Sequence, residues 1–196
     1  MRWAVLGCLG GGLALTLAAA APARAADEPL WTRLGAGDHV ILLRHAATDR
    51  SFGDPPGFRL DDCATQRNLV DEGRTQARRL GDVLRARGVP IGRVLSSQWC
   101  RCLETARLAF GRAEPWPALN AGPRSAEQVA ERTRALRALL ATASSGGNLV
   151  LVTHGFNIRD ATGEMPVEGG LIVVTPLGED RFTVAGRLTP ADLAPR

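Results

Sequence analysis

Two short apolar runs, each ending in a histidine, constrain this chain more than any other feature. Val40-Ile41-Leu42-Leu43-Arg44 leads into His45, and Leu149-Val150-Leu151-Val152-Thr153 leads into His154. Continuous apolar runs of this length are typical of strands buried on both faces, in sheets covered by helices on either side. In open α/β sheets, ligands bind just beyond the carboxyl ends of the strands. The chain holds three histidines, and this reading places two of them on that rim. Arg44 adds a permanent cation beside His45, and Arg101 follows a third apolar run, Ile91 to Leu95. Two imidazoles and two guanidiniums on one rim describe an anion site, with phosphate as the expected anion.

Between these runs the periodicity turns helical. Asp71 is expected to cap a helix running to about Arg87, with Ala77, Leu80, Val83 and Leu84 at helical spacing and Gly88 as its stop. A second helix is expected from about Trp99 to Phe110, stopped by Gly111. A third starts at the cap Ser125, carries Val129, Leu136, Leu139 and Leu140 on one face, and ends at Gly146-Gly147. Asn157 to Ala161 is expected as a short helix. Gly170 to Thr175 and Phe182 to Ala185 read as a closing hairpin across Gly178-Glu179-Asp180. Two stretches resist regular structure: Ala46 to Asn68, with Gly53, Pro55, Pro56 and Gly57, and the proline-rich Ala113 to Pro123. A loop as long as the first is usually functional. Strands alternating with helices imply a three-layer α/β/α sandwich with a mostly parallel sheet.

The first residues are set apart. Arg2 gives a positive start, Ala4 to Ala21 is apolar and small, and Ala23-Arg24-Ala25 fits a cleavage site. Residues 1–25 are therefore expected to be a signal peptide, cleaved near Ala25, and residues 26–196 a single domain. The alternative is an uncleaved anchor, but the Gly and Ala content and the run into Pro22 favour cleavage. The expected destination is the periplasm or the medium, with no stable membrane span in the processed form. The formal charge of +4 includes Arg2 and Arg24, so the remainder lacks the basic excess of a nucleic-acid binder. All 24 basic residues are arginine, so every cationic contact can be a two-toothed fork. Cys63, Cys100 and Cys102 follow the leader, in a compartment where disulfides persist. The expected pairing is Cys63 with Cys100. The alternatives are Cys102 as the partner, or three reduced thiols. No Cys-x-x-Cys spacing occurs, so no metal site is expected.

A phosphoryl group in transfer needs its charge neutralised and an in-line nucleophile. Arg44 and Arg101 can fork onto its non-bridging oxygens, one neutral imidazole can attack phosphorus, and the other can bond the oxyanion face. No G-x-x-x-x-G-K-[ST] loop is present, which argues against nucleoside triphosphates. No acidic cluster for magnesium is evident either, and no cofactor is expected. Arg67 and Arg59, in the long loop, are candidates for extending the anion site. Glu104, one helical turn after Arg101, is expected to orient that guanidinium or face solvent, and Asn157 to bond the loop around His154. His39 is expected at the surface or in a loop, and Trp99 and Trp116 as lid or packing residues.

Arg44-His45-Ala46-Ala47-Thr48 resembles the R-H-G-x-[ST] signature of the histidine phosphatase superfamily, which also contains cofactor-dependent phosphoglycerate mutases. Ser96-Ser97-Gln98-Trp99-Cys100-Arg101-Cys102-Leu103-Glu104-Thr105-Ala106 is similar to its S-S-x-x-x-R-x-x-x-T-A element. Val152-Thr153-His154-Gly155 resembles its V-x-H-G segment, and Leu69 to Ala77 its L-[TS]-x-x-G-x-x-Q-A helix start. The four motifs stand in the family's order. The resemblance implies a phosphoglycerate mutase-like fold, with His45 as the phosphorylated nucleophile and Arg44, Arg101 and His154 completing the phosphate pocket. Thr48, within the first motif, is implied as a further substrate-binding residue. The Gly53-Asp54-Pro55-Pro56-Gly57-Phe58 loop looks like the small periplasmic members.

Three departures shape the expected activity. Ala46 stands where glycine is usual, a modest change unless the position needs a positive φ. No carboxylate stands in Ala118-Leu119-Asn120-Ala121, where members acting on sugar or glycerate phosphates commonly carry one, so Asp49, Glu114 and Glu168 become candidate acids reaching in from loops. The large mutases' hydrophobic covering insertion is absent, which implies a shallow site. These features favour a metal-independent phosphatase over a mutase. Its substrate is expected to be a small or envelope-attached phosphate ester, such as an envelope sugar phosphate, or phosphohistidine. The competing reading is a catalytically weak periplasmic anion-binding protein.

Overall fold

Strand β1 (Val40–Arg44) sends Ile41 and Leu43 to one face of the sheet and Val40 and Leu42 to the other, and all four are buried in the computed structural model of the chain. That alternation explains the unbroken apolar run, because a strand with helices on both faces has no solvent side. The structure describes residues 28–51, 53–122, 125–142 and 146–194, together with Met1. The expected leader, beyond Met1, lies outside the described residues.

β4 (Asn148–Thr153) lies between β1 and β2 (Ile91–Ser96) and runs parallel to both. The two-residue β3 (Glu114–Pro115) pairs in parallel with β2, inside the stretch read as irregular from its prolines. On the other side, β5 (Leu171–Gly178) pairs antiparallel with β1, and β6 (Arg181–Leu188) completes the expected hairpin. The strand order is β3-β2-β4-β1-β5-β6. Helices α1 (Glu28–Ala36), α2 (Asp71–Ala86) and α3 (Cys100–Phe110) cover one face, burying Leu34, Leu80 and Ala106 with Ile41, Leu43 and Val150. α4 (Ala126–Ala141) and α5 (Gly155–Thr162) cover the other, burying Leu136, Leu140 and Ile158 with Leu42, Leu95 and Leu151. This is the expected α/β/α sandwich with a mostly parallel sheet.

Several boundaries differ from those expected. Val70, not Asp71, is the N-cap of α2, and its side chain offers no oxygen, so Asp71 and Glu72 in the first turn supply the favourable negative charge there. Trp99 is the N-cap of α3 rather than its first residue. α4 ends at Ala141, short of Gly146, although Ser125 caps it as expected, accepting from the Gln128 amide. α1 was not among the expected elements. Leu30, Trp31 and Leu34 give it a single buried edge, too few positions to register as a periodicity.

Two glycines of α2 are there for contact. A Cβ on Gly73 would sit 2.1 Å from the Ala47 carbonyl oxygen, and one on Gly81 would sit 2.0 Å from that of Ala109. The first approach presses the start of α2 against the loop that leaves β1. That loop is fastened further by the Val70 amide donating to the Ala47 carbonyl (3.1 Å) and the Ala47 amide donating to Gln76 Oε1 (3.2 Å).

Candidate active site

The parallel pairing of β1 with β4 sets Arg44 opposite Thr153, so the next residue of each strand is a histidine. The His45 amide donates to the Thr153 carbonyl (3.0 Å), and the two imidazole centroids stand 5.5 Å apart. β2 ends alongside at Ser96, and after Ser97 the chain turns into α3, which delivers Arg101. Three strand ends thus converge on one rim.

His45 is 3% exposed. Its Nδ1 lies 2.9 Å from the carbonyl of Ala46, which can only accept, so Nδ1 carries the proton and Nε2 keeps the free lone pair. Burial first, and then the nearby Arg101 charge, pull its pKa down to about 3. The ring is therefore a neutral base at any pH near neutrality.

His154, the N-cap of α5, is also buried and is held well below its ordinary pKa by burial and by His45. Its Nδ1 lies 3.4 Å from Nη2 of Arg101. A guanidinium only donates, so Nδ1 accepts and the ring proton sits on Nε2. Nε2 donates to Ser97 Oγ (2.9 Å), which in turn donates to Asn120 Oδ1 (3.1 Å). Asn120 Oδ1 also accepts from the Gln98 amide (2.7 Å). The position read as a missing carboxylate is therefore a neutral amide anchoring a relay to His154. As expected, Asn157 ties this loop, donating to the carbonyls of Leu119 (2.9 Å) and Asn120 (3.2 Å) and to Thr153 Oγ1 (3.0 Å). Cys102, whose thiol is free and buried, packs its sulfur 3.6 Å from His154 Nε2, and burial pushes that thiol up to about 12.

A cavity of about 360 Å³ opens over these groups. Arg44, His45, Asp54, Arg67, Arg101 and His154 line it with charge and imidazole, and Phe156 and Met165 form an apolar side. Of the expected site residues, Arg67 joins the cavity but Arg59 does not; it pairs with Asp62 in the exposed part of the long loop. Thr48 lies nearby but does not line the cavity, since its hydroxyl is committed to Glu168 Oε1 (3.1 Å). The Nε–H groups of Arg44, Arg67 and Arg101 are all buried without a hydrogen-bond partner. Three unpartnered guanidinium donors around one cavity amount to strong demand for an anion. Among the described residues, no three His, Cys, Asp or Glu side chains gather to hold a metal ion.

The remaining carboxylates are placed differently from the expectations. Glu168 reaches the site but sits behind it, 3.5 Å from Arg44 Nη2. Glu114 pairs with Arg93 at the exposed sheet edge (2.6 Å) and does not line the cavity. Asp49 accepts from the amide and hydroxyl of Ser51. Glu104 pairs with Arg74 (2.7 Å) rather than Arg101. Arg101 is instead gripped by Asp54, from the Gly-Asp-Pro-Pro loop, with Nη1 to Oδ1 at 2.7 Å and Nη2 to Oδ2 at 3.2 Å. Its guanidinium also stacks 4.3 Å over Trp99, which is a packing residue here. The Cys63–Cys100 disulfide is formed, with a Cα separation of 5.6 Å, and anchors the long loop one residue before Arg101. Ala46 is not among the residues with positive φ, so its methyl group is accommodated without strain.

A model of the histidine phosphatase superfamily (branch 1) matches residues 40–120. No curated protein matches the sequence. Among solved structures, the chain is similar to the protein histidine phosphatase SixA complexed with tungstate, at 20% identity and a TM-score of 0.55, over 80% of this chain and 99% of that one. It is similar to the product of the open reading frame Rv3214 from Mycobacterium tuberculosis, at 20% identity and a TM-score of 0.59, over 78% and 98% of the two chains. It is also similar to the phosphoserine phosphatase from Entamoeba histolytica in complex with 3-phosphoglyceric acid, at 14% identity and a TM-score of 0.58, over 80% and 99%. At these identities the likeness is one of fold.

Proposed function

We propose that the chain, whose residues 40–120 match a model of the histidine phosphatase superfamily (branch 1), is a member of that superfamily and hydrolyses phosphate monoesters through a phospho-His45 intermediate. The observation that carries the reading is the trio of unpartnered buried Nε–H groups around a neutral imidazole. Arg44, Arg67 and Arg101 neutralise the non-bridging oxygens, and the free Nε2 lone pair of His45 attacks phosphorus in line. His154, neutral before substrate arrives, bonds a phosphoryl oxygen once the anion favours its protonated form. Thr48 acts through Glu168, which orients Arg44. Water then cleaves the P–N bond and restores His45. The tungstate of the similar SixA structure is a tetrahedral oxyanion of the same shape class as phosphate.

The proposed place of action is the periplasm or the medium, after removal of residues 1–25. The Cys63–Cys100 disulfide supports an oxidising compartment, and among the described residues no helix is long and apolar enough to cross a membrane. The cavity, open beside exposed Phe156, suits a phosphate presented on a larger body, such as an envelope sugar phosphate or a phosphohistidine on a protein surface. Phosphate release from an aryl phosphate, in the presence of a chelator, tests the reading. The wild type is expected to turn over and His45→Ala to lose essentially all turnover. Wild-type rates in His45→Ala would sink the phospho-His45 mechanism. Vanadate binding with no release by the wild type would leave an anion-binding protein.

A further inference from the structure

Asp54 contributes the single carboxylate lining the cavity among the described residues, and it occupies the two Arg101 donors best placed to fork a phosphoryl group. The other acids nearby are committed: Glu168 to Thr48 and Arg44, Glu104 to Arg74, and Asp49 to Ser51. Asp54 stands in the proline-rich part of the long loop. Pro55 and Pro56 follow it, the Phe58 amide closes a turn on the Pro55 carbonyl (3.3 Å), and Phe58 packs on Trp99 at 4.2 Å between rings. Its side chain is 28% exposed, so it can turn away from Arg101 without leaving a packed core.

The fork cannot hold a carboxylate and a phosphoryl group together. We propose that Asp54, which pairs with Arg101, yields the fork to phosphate and then becomes the proton donor to the leaving group. The role rests on the phosphatase reading. A displaced carboxylate beside a phosphoryl dianion has lost its guanidinium partner and gained a like charge, and both changes favour the protonated acid. The charged groups facing it are Arg101, Arg67 and Arg44, with His45 and His154 neutral. The protons and electrons then balance. His45 Nε2 forms the P–N bond, the P–O ester bond breaks with its electron pair going to the leaving oxygen, and that oxygen takes the Asp54 proton. In the second half, water adds to phosphorus, Asp54 takes a proton from it, and the P–N pair returns to Nε2.

Asp54→Asn keeps the side-chain shape and removes the transferable proton. It is to be compared with wild type on p-nitrophenyl phosphate, whose leaving group departs unaided, and on glycerol phosphate, whose alkoxide does not. The expected result, read on kcat/KM because that ratio ends at the formation of phospho-His45, is a loss of about 10²–10⁴-fold on glycerol phosphate and less than about tenfold on p-nitrophenyl phosphate. An equal change on both esters, whether loss or gain, would overturn the donor role; an equal gain would mark Asp54 as a plug only. If Asp54→Asn fails to fold, the wild-type dependence of kcat/KM on leaving-group basicity decides, a flat series supporting the donor and a steep one overturning it. Failure of wild type to release phosphate from either ester would overturn the phosphatase reading itself, and the donor role with it.

Discussion

His45 and His154 are neutral because the folded chain refuses them a proton, and that refusal sets how stability responds to acid. Their pKa values are lowered on folding, so below about pH 6.5 the unfolded chain takes up protons that the native state does not. Stability is therefore full above that pH and falls on acidification, over a window that for His45 extends down to about pH 3. Each imidazole contributes a slope of up to about 1.4 kcal/mol per pH unit. Denaturant midpoints measured from pH 8 to 5 should fall, and His45→Asn should remove close to half of the fall between pH 6 and 5. A flat profile in the wild type would mean that the rings ionise in the native state. At this scale the sequence was legible where a residue's place follows from its strand, as for His45 and His154 at the ends of β1 and β4. It misled where a partner came from elsewhere. Glu104 lies one turn from Arg101 in α3 yet pairs with Arg74, while Arg101's carboxylate comes from Asp54, 47 residues earlier, in a segment without periodicity. The Ser97–Asn120 relay was hidden likewise, because it joins two loops through side chains that are individually unremarkable.

The elements carry the motif residues for reasons of packing as much as chemistry. The Leu69 to Ala77 motif reads in the structure as a clamp. Leu69 and Ala77 are buried, Gly73 admits the Ala47 carbonyl, and Gln76 accepts the Ala47 amide, so the start of α2 fixes the backbone just after His45. Gly81, two turns on, lets α2 lie against α3 without touching the site. The two glycines separate stability from activity. Both Gly73→Ala and Gly81→Ala force a methyl group into backbone and should each cost about 1–3 kcal/mol. Gly73→Ala should also depress kcat/KM of the remaining folded enzyme several-fold, whereas Gly81→Ala should leave it near wild type. Thermal melts alongside kinetics on p-nitrophenyl phosphate check this, and equal activity losses would remove the clamp's role. Element order was readable because strand and helix periods differ and glycines mark the stops. α1 and β3 were not, one because its single buried edge is too sparse to show a period and the other because prolines disguised an edge strand.

For the whole molecule, the Cys63–Cys100 bridge closes a separation of 37 residues and fastens the loop that carries Asp54 and Arg67. A loop of this length is worth about 4 kcal/mol in the chain-entropy model. Gln66 adds to the fastening, accepting from the Cys100 amide (2.9 Å) and donating to the Arg59 carbonyl (2.7 Å). Reduction, or Cys63→Ser, should lower the melting temperature and raise KM more than it lowers kcat, because the cavity's outer wall loosens while His45 and His154 stay on their strands. An unchanged KM after reduction, verified by thiol titration, would show that the loop holds its place without the bridge.

The strand order has a consequence in time. β4 lies between β1 and β2, yet it is made after both, so a chain growing or emerging from its amino end carries His45 for about a hundred residues before His154 exists. Until Asn148 to Thr153 slots into the middle of the sheet, β1 and β2 each present an open edge, the kind that invites pairing with another chain. The two histidines are thus brought together by the same late insertion that joins β1 to β2. A chain in which the two histidines meet is one whose parallel strands are already in register.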